Sequence, residues 1–441
     1  MRVKHISVEK LFGRFDHPIP MNQADRITII HALNGFGKTT LLRLIAGVFS
    51  QSDAALVAIP FQRMKVEFDS GETLCVSKDP RPRFSEPGSD ESILQFVLRD
   101  ALGQEMSFVR LARRPEEVNV SLGMIEELIP ELDQIAPRVW RHLTSGEVLS
   151  LEEVLVKYGE RLPLKQDAKP DWLNAVRQSV RVSFIQTERL SLPTEVRRTR
   201  MQQRPMRIRA VQQYADELGT LIKQKLTEYG ALSQTLDRSF PVRILRQPPV
   251  PAVTSDKLDE DLKAIEARRS RLVEAGLLTQ EGETGAFFVP PQIDPTQRAM
   301  LAVYAKDAQE KLSVFDDLVQ KVELFKNSIN QRFLYKRMLI GTSGFSFETQ
   351  EHEPLDPASL SSGEQHEIVL LYQLLFRVQE NSLILIDEPE ISLHVAWQEQ
   401  FLSDLKAITE LSHFDVLIAT HSPQIISDQW DITVQLVGPA A

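Results

Sequence analysis

One stretch near the start of the chain limits the fold more than any other. Asp25–Ile30 is a β-branched run typical of a buried strand, and a polar loop with two glycines follows at 31–37. An apolar helix is predicted from about Lys38 to Phe49. Glycines in such a loop let backbone N–H groups converge on a phosphate, and the start of the helix adds partial positive charge. This order predicts an α/β protein with a phosphate-binding loop.

The candidate nucleotide-binding residues of this loop are consecutive: Asn34, Gly35, Phe36, Gly37, Lys38, Thr39 and Thr40. We expect Lys38 to bridge the β- and γ-phosphates and the Thr39 hydroxyl to ligate Mg²⁺. The motif G-x-x-x-x-G-K-[ST] is incomplete, because Ala32 stands at the first glycine. Alanine costs little there if its φ is negative. The alternative interpretation is a chance glycine turn before a helix.

A second motif combines an apolar strand with two carboxylates. Leu383–Ile386 is followed directly by Asp387 and Glu388, at the strand end where open α/β sheets bind their ligands. We expect Asp387 to bind the Mg²⁺ shell through water. Glu388 is positioned to act as the general base for an attacking water. The alternative interpretation is a strand that simply ends in an acidic turn, which is a common explanation when this motif is considered by itself.

A third motif lies about 20 residues before the acidic strand. Ser361, Ser362, Gly363 and Glu364 precede a predicted helix. A helix start with small residues and free N–H groups forms an anion site. The alternative interpretation is an ordinary helix cap formed by Ser361 or Ser362.

Two further polar residues stand at strand ends. His421 follows the apolar run Val416–Ala419, and Gln186 follows Val182–Ile185. A single histidine after a strand is usually structural, so its interpretation depends on the other motifs.

With these motifs in this order, the chain resembles the ABC-class ATPases related to RecF, SMC and overcoming-lysogenisation-defect (OLD) proteins. It resembles most the AAA-15/AAA-21-like ATP-binding proteins of anti-phage systems such as PARIS and Septu. The segment 387–394 is typical of that branch, whereas transporter ATPases usually carry aspartate near the position of His394. The resemblance implies an α/β, ABC-type P-loop NTPase head with a helical, coiled-coil-like insertion.

The resemblance also implies ligands and roles. ATP and Mg²⁺ would be sandwiched at two sites across a homodimer, which could join into a larger ring. Residues Ser361–Glu364 would contact the γ-phosphate held by the opposite subunit. His421 would be the switch residue beside Glu388, and Gln186 would sense Mg²⁺ and the γ-phosphate.

The predicted domain organisation has three parts. Residues 1–190 form the N-terminal part of the head, with a helical insertion at about 80–180. Residues 191–330 form a helical arm, with helices near 207–235, 256–275 and 295–332, the last capped by Asp294 with Pro295 at its first position. Residues 331–441 form the C-terminal part of the head.

Charge and composition limit the partners. The formal net charge of −10 argues against coating nucleic acid by bulk electrostatics. A local stretch of six arginines contrasts with this net charge: Arg197, Arg198, Arg200, Arg204, Arg207 and Arg209. It could bind nucleic acid or an acidic partner. The alternative interpretation is a solvated helix face or a loop. The single cysteine excludes an internal disulfide. Without an apolar signal or spanning segment, we expect a cytoplasmic protein with no membrane contact.

Three functions follow as hypotheses. The first is the sensor or regulatory ATPase of an anti-phage system, which controls a toxic effector, often a nuclease, encoded nearby. The short stretch after His421 leaves no room for the nuclease domain of OLD proteins. The second is a RecF-like DNA-maintenance ATPase that binds DNA directly. The third, a transporter motor, is disfavoured by the helical arm and by His394.

Overall fold

The computed structural model describes residues 1–80, 92–112, 125, 128–129, 131–143, 148–151, 154, 158, 169–185, 191–192, 208–246, 254–279 and 294–438. The chain divides into two compact units. The first unit comprises Met1–Ile208 and Arg377–Ala441, and the second comprises Arg209–Phe376.

The strands of the described residues are, in chain order, β1 (Val3–Leu11), β2 (Phe15–Pro20), β3 (Ile27–His31), β4 (Arg63–Phe68), β5 (Thr73–Pro80), β6 (Ser92–Arg99), β7 (Glu105–Ala112), β8 (Leu132–Ala136), β9 (Val139–His142), β10 (Val148–Ser150), β11 (Val182–Ile185), β12 (Ser191–Leu192), β13 (Ile208–Arg209), β14 (Lys336–Gly341), β15 (Gly344–Thr349), β16 (Pro354–Leu355), β17 (Leu383–Asp387), β18 (Asp415–Thr420) and β19 (Thr433–Gln435).

The α-helices are α1 (Lys38–Phe49), α2 (Ala54–Ala58), α3 (Asp171–Ser179), α4 (Ala210–Arg246), α5 (Ser255–Glu274), α6 (Pro295–Ser313), α7 (Asp316–Arg332), α8 (Ser362–Tyr372), α9 (Val395–Ser412) and α10 (Pro423–Ile426). Short 3-10 turns lie at Pro357–Ser359, Pro389–Ser392 and Trp430–Ile432, and a π-helical turn lies at Gln373–Arg377.

A parallel sheet in the first unit positions the predicted site. Its strands run in the order β11-β17-β18-β3-β19, and every neighbouring pair is parallel. β17 and β18 are buried along their whole length, as expected for apolar strands covered on both faces. Because parallel strands end at one edge, the segments after β3, β17 and β18 lie together there. The strands predicted from the sequence at β3, β11, β17 and β18 are confirmed.

The first unit also contains an antiparallel sheet, with strands in the order β2-β1-β4-β5-β6-β7. The hairpin predicted at 63–77 is confirmed as β4 and β5, with Gly71 in the turn at φ +87°. The helices predicted between 80 and 180 are wrong for residues 92–112, 131–143 and 148–150, where the described segments contain β6 to β10. Leu94, Phe96 and Leu98 are buried alternately along β6, and this two-residue period favours a strand.

A buried ion cluster connects the end of α1 to α3. Arg177 donates to the carbonyl of Val48 at 2.9 Å and to the Asp53 carboxylate at 2.6 Å, and Lys169 and Arg110 also contact Asp53. Burial alone would raise the pKa of Asp53, but the three cations together lower it. Burial lowers the pKa of Lys169 to about 8. Such a hydrogen-bonded cluster fixes the two helix ends relative to each other.

The second unit is mainly helical, and the helices predicted near 207–235 and 256–275 are confirmed. The helix predicted at 295–332 begins as expected, because Asp294 forms a capping box with Gln297 and Pro295 follows it. The prediction of one continuous helix was wrong. Helix α6 ends at Ser313, and α7 begins at Asp316 after the fully buried Phe315. Phe315 stands at the N-cap position of α7, and two aspartates then begin that helix, where negative charge is favourable.

The β14–β15 hairpin packs closely on α4. A Cβ atom added at Gly344, which has φ +95°, would overlap the backbone of Ala215. Gly219 on α4 faces the same turn at similarly short range. Glycine is therefore needed on both sides for the backbones to approach.

Aromatic side chains cover the inner side of α8. Tyr372 stacks on Tyr214 with ring centroids 4.6 Å apart, and Phe325 contacts Tyr372, Phe345 and Phe376 edge-on. Such pairs add stabilisation beyond burial alone. Among the described residues, no helix combines the length and apolar character needed to cross a membrane.

Candidate nucleotide-binding site

The predicted phosphate loop lies between β3 and α1. Gly35 and Gly37 have φ values of +92° and +81°, a region that disfavours side chains. A Cβ atom at Gly37 would also lie 3.0 Å from Cε2 of Phe12 and 3.1 Å from Cδ2 of Leu11. Ala32 is not among the residues with positive φ, so its replacement of the usual first glycine causes no strain.

Lys38 begins α1 and is buried. Its Nζ donates to the carbonyl oxygen of Ala32 at 2.9 Å, so the ammonium group lies against its own loop. Oxygen atoms of a phosphate would satisfy the same donor with a stronger, charge-assisted hydrogen bond.

The other predicted loop residues surround this lysine. Asn34 is exposed, and Thr40 lies partly buried in the first turn of α1. Phe36 packs on Phe15 with ring centroids 5.6 Å apart, and its carbonyl lies 3.3 Å from Nε2 of the buried His17. Burial lowers the pKa of His17. Phe15 and His17 of strand β2 therefore contact Phe36 and hold the loop in place.

Thr39 connects the loop to the acidic strand. Its hydroxyl donates to Oδ1 of Asp387 at 3.0 Å, although the two residues are 348 positions apart in sequence. Burial raises the pKa of Asp387, and the hydrogen bond from Thr39 opposes that shift. A buried carboxylate beside a hydroxyl is a donor set of hard oxygen atoms, which fits the preference of Mg²⁺.

Glu388 follows β17 in an unusual backbone conformation. Its φ and ψ are 42° and 61°, in the left-handed region, which is uncommon for glutamate. Its backbone N–H donates to the carbonyl of Ala419 on the neighbouring β18 at 2.8 Å. This bond fixes the turn that carries the carboxylate.

His421 lies beside two carboxylates at the end of β18. Its Nδ1 is 3.6 Å from Oε1 of Glu388 and 3.1 Å from Oε1 of Glu390. The predicted switch histidine and the predicted base are therefore neighbours. Sequence reasoning assigned no role to Glu390, which is buried.

The serine-glycine motif lies in the second unit. Ser361 caps α8, its N–H donates to Oε2 of Glu364 at 2.9 Å, and its hydroxyl donates to the same oxygen at 2.8 Å. Lys336 on β14 contacts both oxygens of Glu364, at 2.7 and 2.8 Å. Burial opposes ionisation of Glu364, but Lys336 and Ser361 lower its pKa. Ser362 and Gly363 occupy the first turn of the helix.

Several predicted residues lie outside the described residues: Gln186, Arg197, Arg198, Arg200, Arg204 and Arg207. Arg209 ends β13. The predicted roles of these residues remain predictions.

Three contributing residues were missed by sequence reasoning. Phe12 has φ +54° and contacts the loop glycine, but a lone aromatic in a turn carries no recognisable signal. Glu390 stands two residues after Glu388, and Lys336 stands in an ordinary alternating strand. Of the three, only Glu390 could have been recognised from the sequence, because an acidic residue close to the end of a buried strand can itself be buried at the site.

The parallel sheet, the glycine loop that opens α1 and the acidic strand end define an α/β P-loop NTPase with a helical insertion, as predicted. The chain belongs to the family described as "AAA domain, putative AbiEii toxin, Type IV TA system", whose model matches residues 33–427. The match includes the loop, the serine-glycine motif, the acidic strand and His421. The predicted resemblance to AAA-21-like proteins is thereby confirmed.

Individual relatives are more distant. Protein ea59 of Escherichia phage lambda is 35% identical over 69 residues, which is 16% of this chain, and the match spans only 13% of that protein. The SMC head domain from Thermotoga maritima is 12% identical, with a TM-score of 0.33, covering 99% of this chain and 95% of that one. The Smc head domain of Pyrococcus furiosus, solved with an extended coiled coil bound to the C-terminal domain of ScpA, is also 12% identical. Its TM-score is 0.33, with 100% of this chain and 96% of that one covered.

Proposed function

We propose that this protein binds ATP with Mg²⁺ and hydrolyses it. The observation that supports this most is the 3.0 Å hydrogen bond from Thr39 to Asp387. It joins the phosphate loop to the acidic strand at the one sheet edge where His421 and Glu388 also lie.

Each residue has a distinct role in this proposal. Lys38 and the amides of Gly35 and Gly37 hold the phosphates, and Thr39 and Asp387 hold the metal. Mg²⁺, when bound, neutralises charge on the phosphates. Glu388 accepts the proton of the attacking water, and His421 contacts the γ-phosphate and helps to hold that water in line.

We also propose that the active form is a dimer in which Ser361–Glu364 of one copy contact the nucleotide of the other. The support is the capped start of α8, where Lys336 offsets the negative charge of Glu364. Without that offset, a carboxylate would repel an approaching phosphate.

For the biological role, we propose a regulatory ATPase in a defence system, acting on a separate toxic effector encoded nearby. The support is the resemblance of the segment 387–394 to the ATPases of anti-phage systems; the family description names a putative toxin of a type IV toxin–antitoxin system. The RecF-like alternative depends on the arginine-rich stretch. DNA binding that is ATP-dependent and decreases with salt would favour that alternative.

A mixing experiment tests both hydrolysis and the composite site. Lys38→Ala removes the phosphate contact, and Ser362→Glu places a negative charge on an exposed position at the start of α8. Each variant alone should lack ATP turnover. In a mixed dimer, one site would carry both changes and the other none, so mixing should restore a substantial fraction of phosphate release.

The parent protein and each unmixed variant serve as references. Absence of turnover in the parent would contradict the ATPase proposal. Turnover in the parent without recovery in the mixture would contradict the composite site only.

A further inference from the structure

Glu390 lies in the turn Pro389–Ser392 and accepts hydrogen bonds from the segment that carries the histidine. Its Oε1 accepts from the hydroxyl of Thr420 at 2.7 Å and from the backbone N–H of His421 at 3.0 Å. The side chain is buried, and Oε2 has no hydrogen-bond partner among the described residues. A carboxylate removed from water is costly unless it is paired or hydrogen-bonded, and in the part of the chain that the structure describes only Oε1 accepts hydrogen bonds.

The imidazole ring of His421 is closer to Glu390 than to the predicted base. Its Nδ1 lies 3.1 Å from Oε1 of Glu390, within hydrogen-bonding distance, whereas the 3.6 Å separation from Glu388 is too long for a hydrogen bond. A carboxylate only accepts hydrogen bonds, so a hydrogen bond at this contact requires the proton on Nδ1. Nε2 is then the nitrogen left for a phosphate oxygen or a water.

A second side chain fixes the same two segments. The amide of Gln398, which is buried on α9, donates to the carbonyls of Glu390 and Leu393, both at 3.2 Å. Its oxygen accepts from the hydroxyl of Ser422 at 3.1 Å. The acidic turn and the histidine segment are thus connected through both the backbone and the carboxylate of Glu390.

We infer that Glu390 is a positioning residue for hydrolysis, which rests on the function proposed above. It orients the ring of His421 and fixes its proton on Nδ1. The Glu388 carboxylate then need not bind the histidine and stays available to the attacking water. This division resembles other sites where a buried carboxylate orients a histidine and sets its tautomer.

A double-mutant cycle separates this role from simple support of the fold. Glu390→Gln keeps the size of the side chain but removes its charge, and we expect it to lower kcat about 10- to 100-fold, with ATP affinity within about twofold of the parent. The double variant Glu390→Gln/His421→Ala should be no slower than His421→Ala, because Glu390 acts through the ring. Thr420→Val is the matched control: it removes the hydroxyl that donates to Glu390 and accepts from the N–H of Ser422, leaves the ring contact in place, and should keep kcat near that of the parent.

Two outcomes would overturn the inference in a parent that hydrolyses ATP. One is unchanged kcat in Glu390→Gln, and the other is a double variant whose loss equals the product of the single losses. A parent without turnover would contradict the proposed function instead.

A measurement on the parent needs no variant of Glu390. ¹⁵N spectra of histidine-labelled protein contain signals from nine histidines, and the signal missing in His421→Ala identifies the ring. We expect a protonated Nδ1. A neutral ring with its proton on Nε2 would overturn the inference, whatever the folding of Glu390→Gln.

Discussion

The nucleotide pocket of the first unit and the serine-glycine motif of the second are built in different ways. In the pocket, residues far apart in sequence meet because parallel strands end at one edge, where Lys38 and Asp387 are buried and His421 is partly exposed. The serine-glycine motif is made locally, by a capping box, with Lys336 and Glu364 as a partly exposed ion pair. We therefore expect changes in the pocket to abolish a chemical step, and changes in the ion pair that supports the motif to adjust its rate.

The largest effect is expected at the base. Glu388→Gln should lower kcat about 10²- to 10⁴-fold, because a positioned general base contributes about that factor. ATP affinity should be retained, and the closed dimer should accumulate. Phosphate release, fluorescent-nucleotide binding and light scattering measure the three quantities. Equal turnover in the variant and the parent would show that the base lies elsewhere.

The next effect is on binding. Lys38→Ala should weaken ATP affinity about 10- to 150-fold, because a charge-assisted hydrogen bond contributes about 1.5–3 kcal/mol. Equilibrium binding of a fluorescent ATP analogue measures this. Lys10→Ala is the matched control, since it removes an exposed lysine paired with Asp16 on the same unit and should leave affinity unchanged. Equal affinities in both variants would contradict the loop assignment.

A substitution at a glycine of the phosphate loop tests how strongly the pocket depends on its backbone conformation. Gly37→Ala forces a side chain into a left-handed conformation next to Phe12, and should lower the free energy of unfolding by about 1–3 kcal/mol. Gly230→Ala, within α4 and with open space around it, should instead increase that free energy by about 0.5–1 kcal/mol. Denaturant titration measures both. A neutral Gly37→Ala would mean that the loop relaxes.

The smallest effect is expected at the ion pair between Lys336 and Glu364, which supports the serine-glycine motif. Lys336→Met should lower kcat about two- to fivefold, because a partly exposed ion pair contributes only about 0.4–1 kcal/mol. Glu364→Gln keeps the capping geometry without the charge, so the double variant should recover the parental rate. Steady-state turnover measures all three. Failure of Glu364→Gln to restore Lys336→Met would exclude charge compensation.

The pocket was largely predictable from sequence because its signals are consecutive. A buried strand followed by Gly-Lys-Thr indicates a phosphate loop, and a buried strand followed by Asp-Glu indicates its acidic partner. The contact between Thr39 and Asp387 follows from those two strands lying in one parallel sheet.

Other features were not predictable for physical reasons. Helices were predicted between about 80 and 180, where β6 to β10 lie, since short runs that mix apolar and charged residues fit both periods. The pairing of Glu390 with His421 depends on the exact turn at Pro389, and that of Lys336 with Glu364 depends on tertiary packing of β14. The break between α6 and α7 falls at Val314 and Phe315, where neither glycine, proline nor a side-chain cap marks it in the sequence.

The left-handed backbone at Glu388 has a consequence for how such a chain can change over time. Glycine or asparagine would occupy that conformation with less strain, which for glutamate is of the order of 1–3 kcal/mol. Stability and hydrolysis therefore favour different residues at one position. In a descendant that needed only to bind nucleotide, replacement of Glu388 by glycine or asparagine would increase the free energy of unfolding while removing the general base.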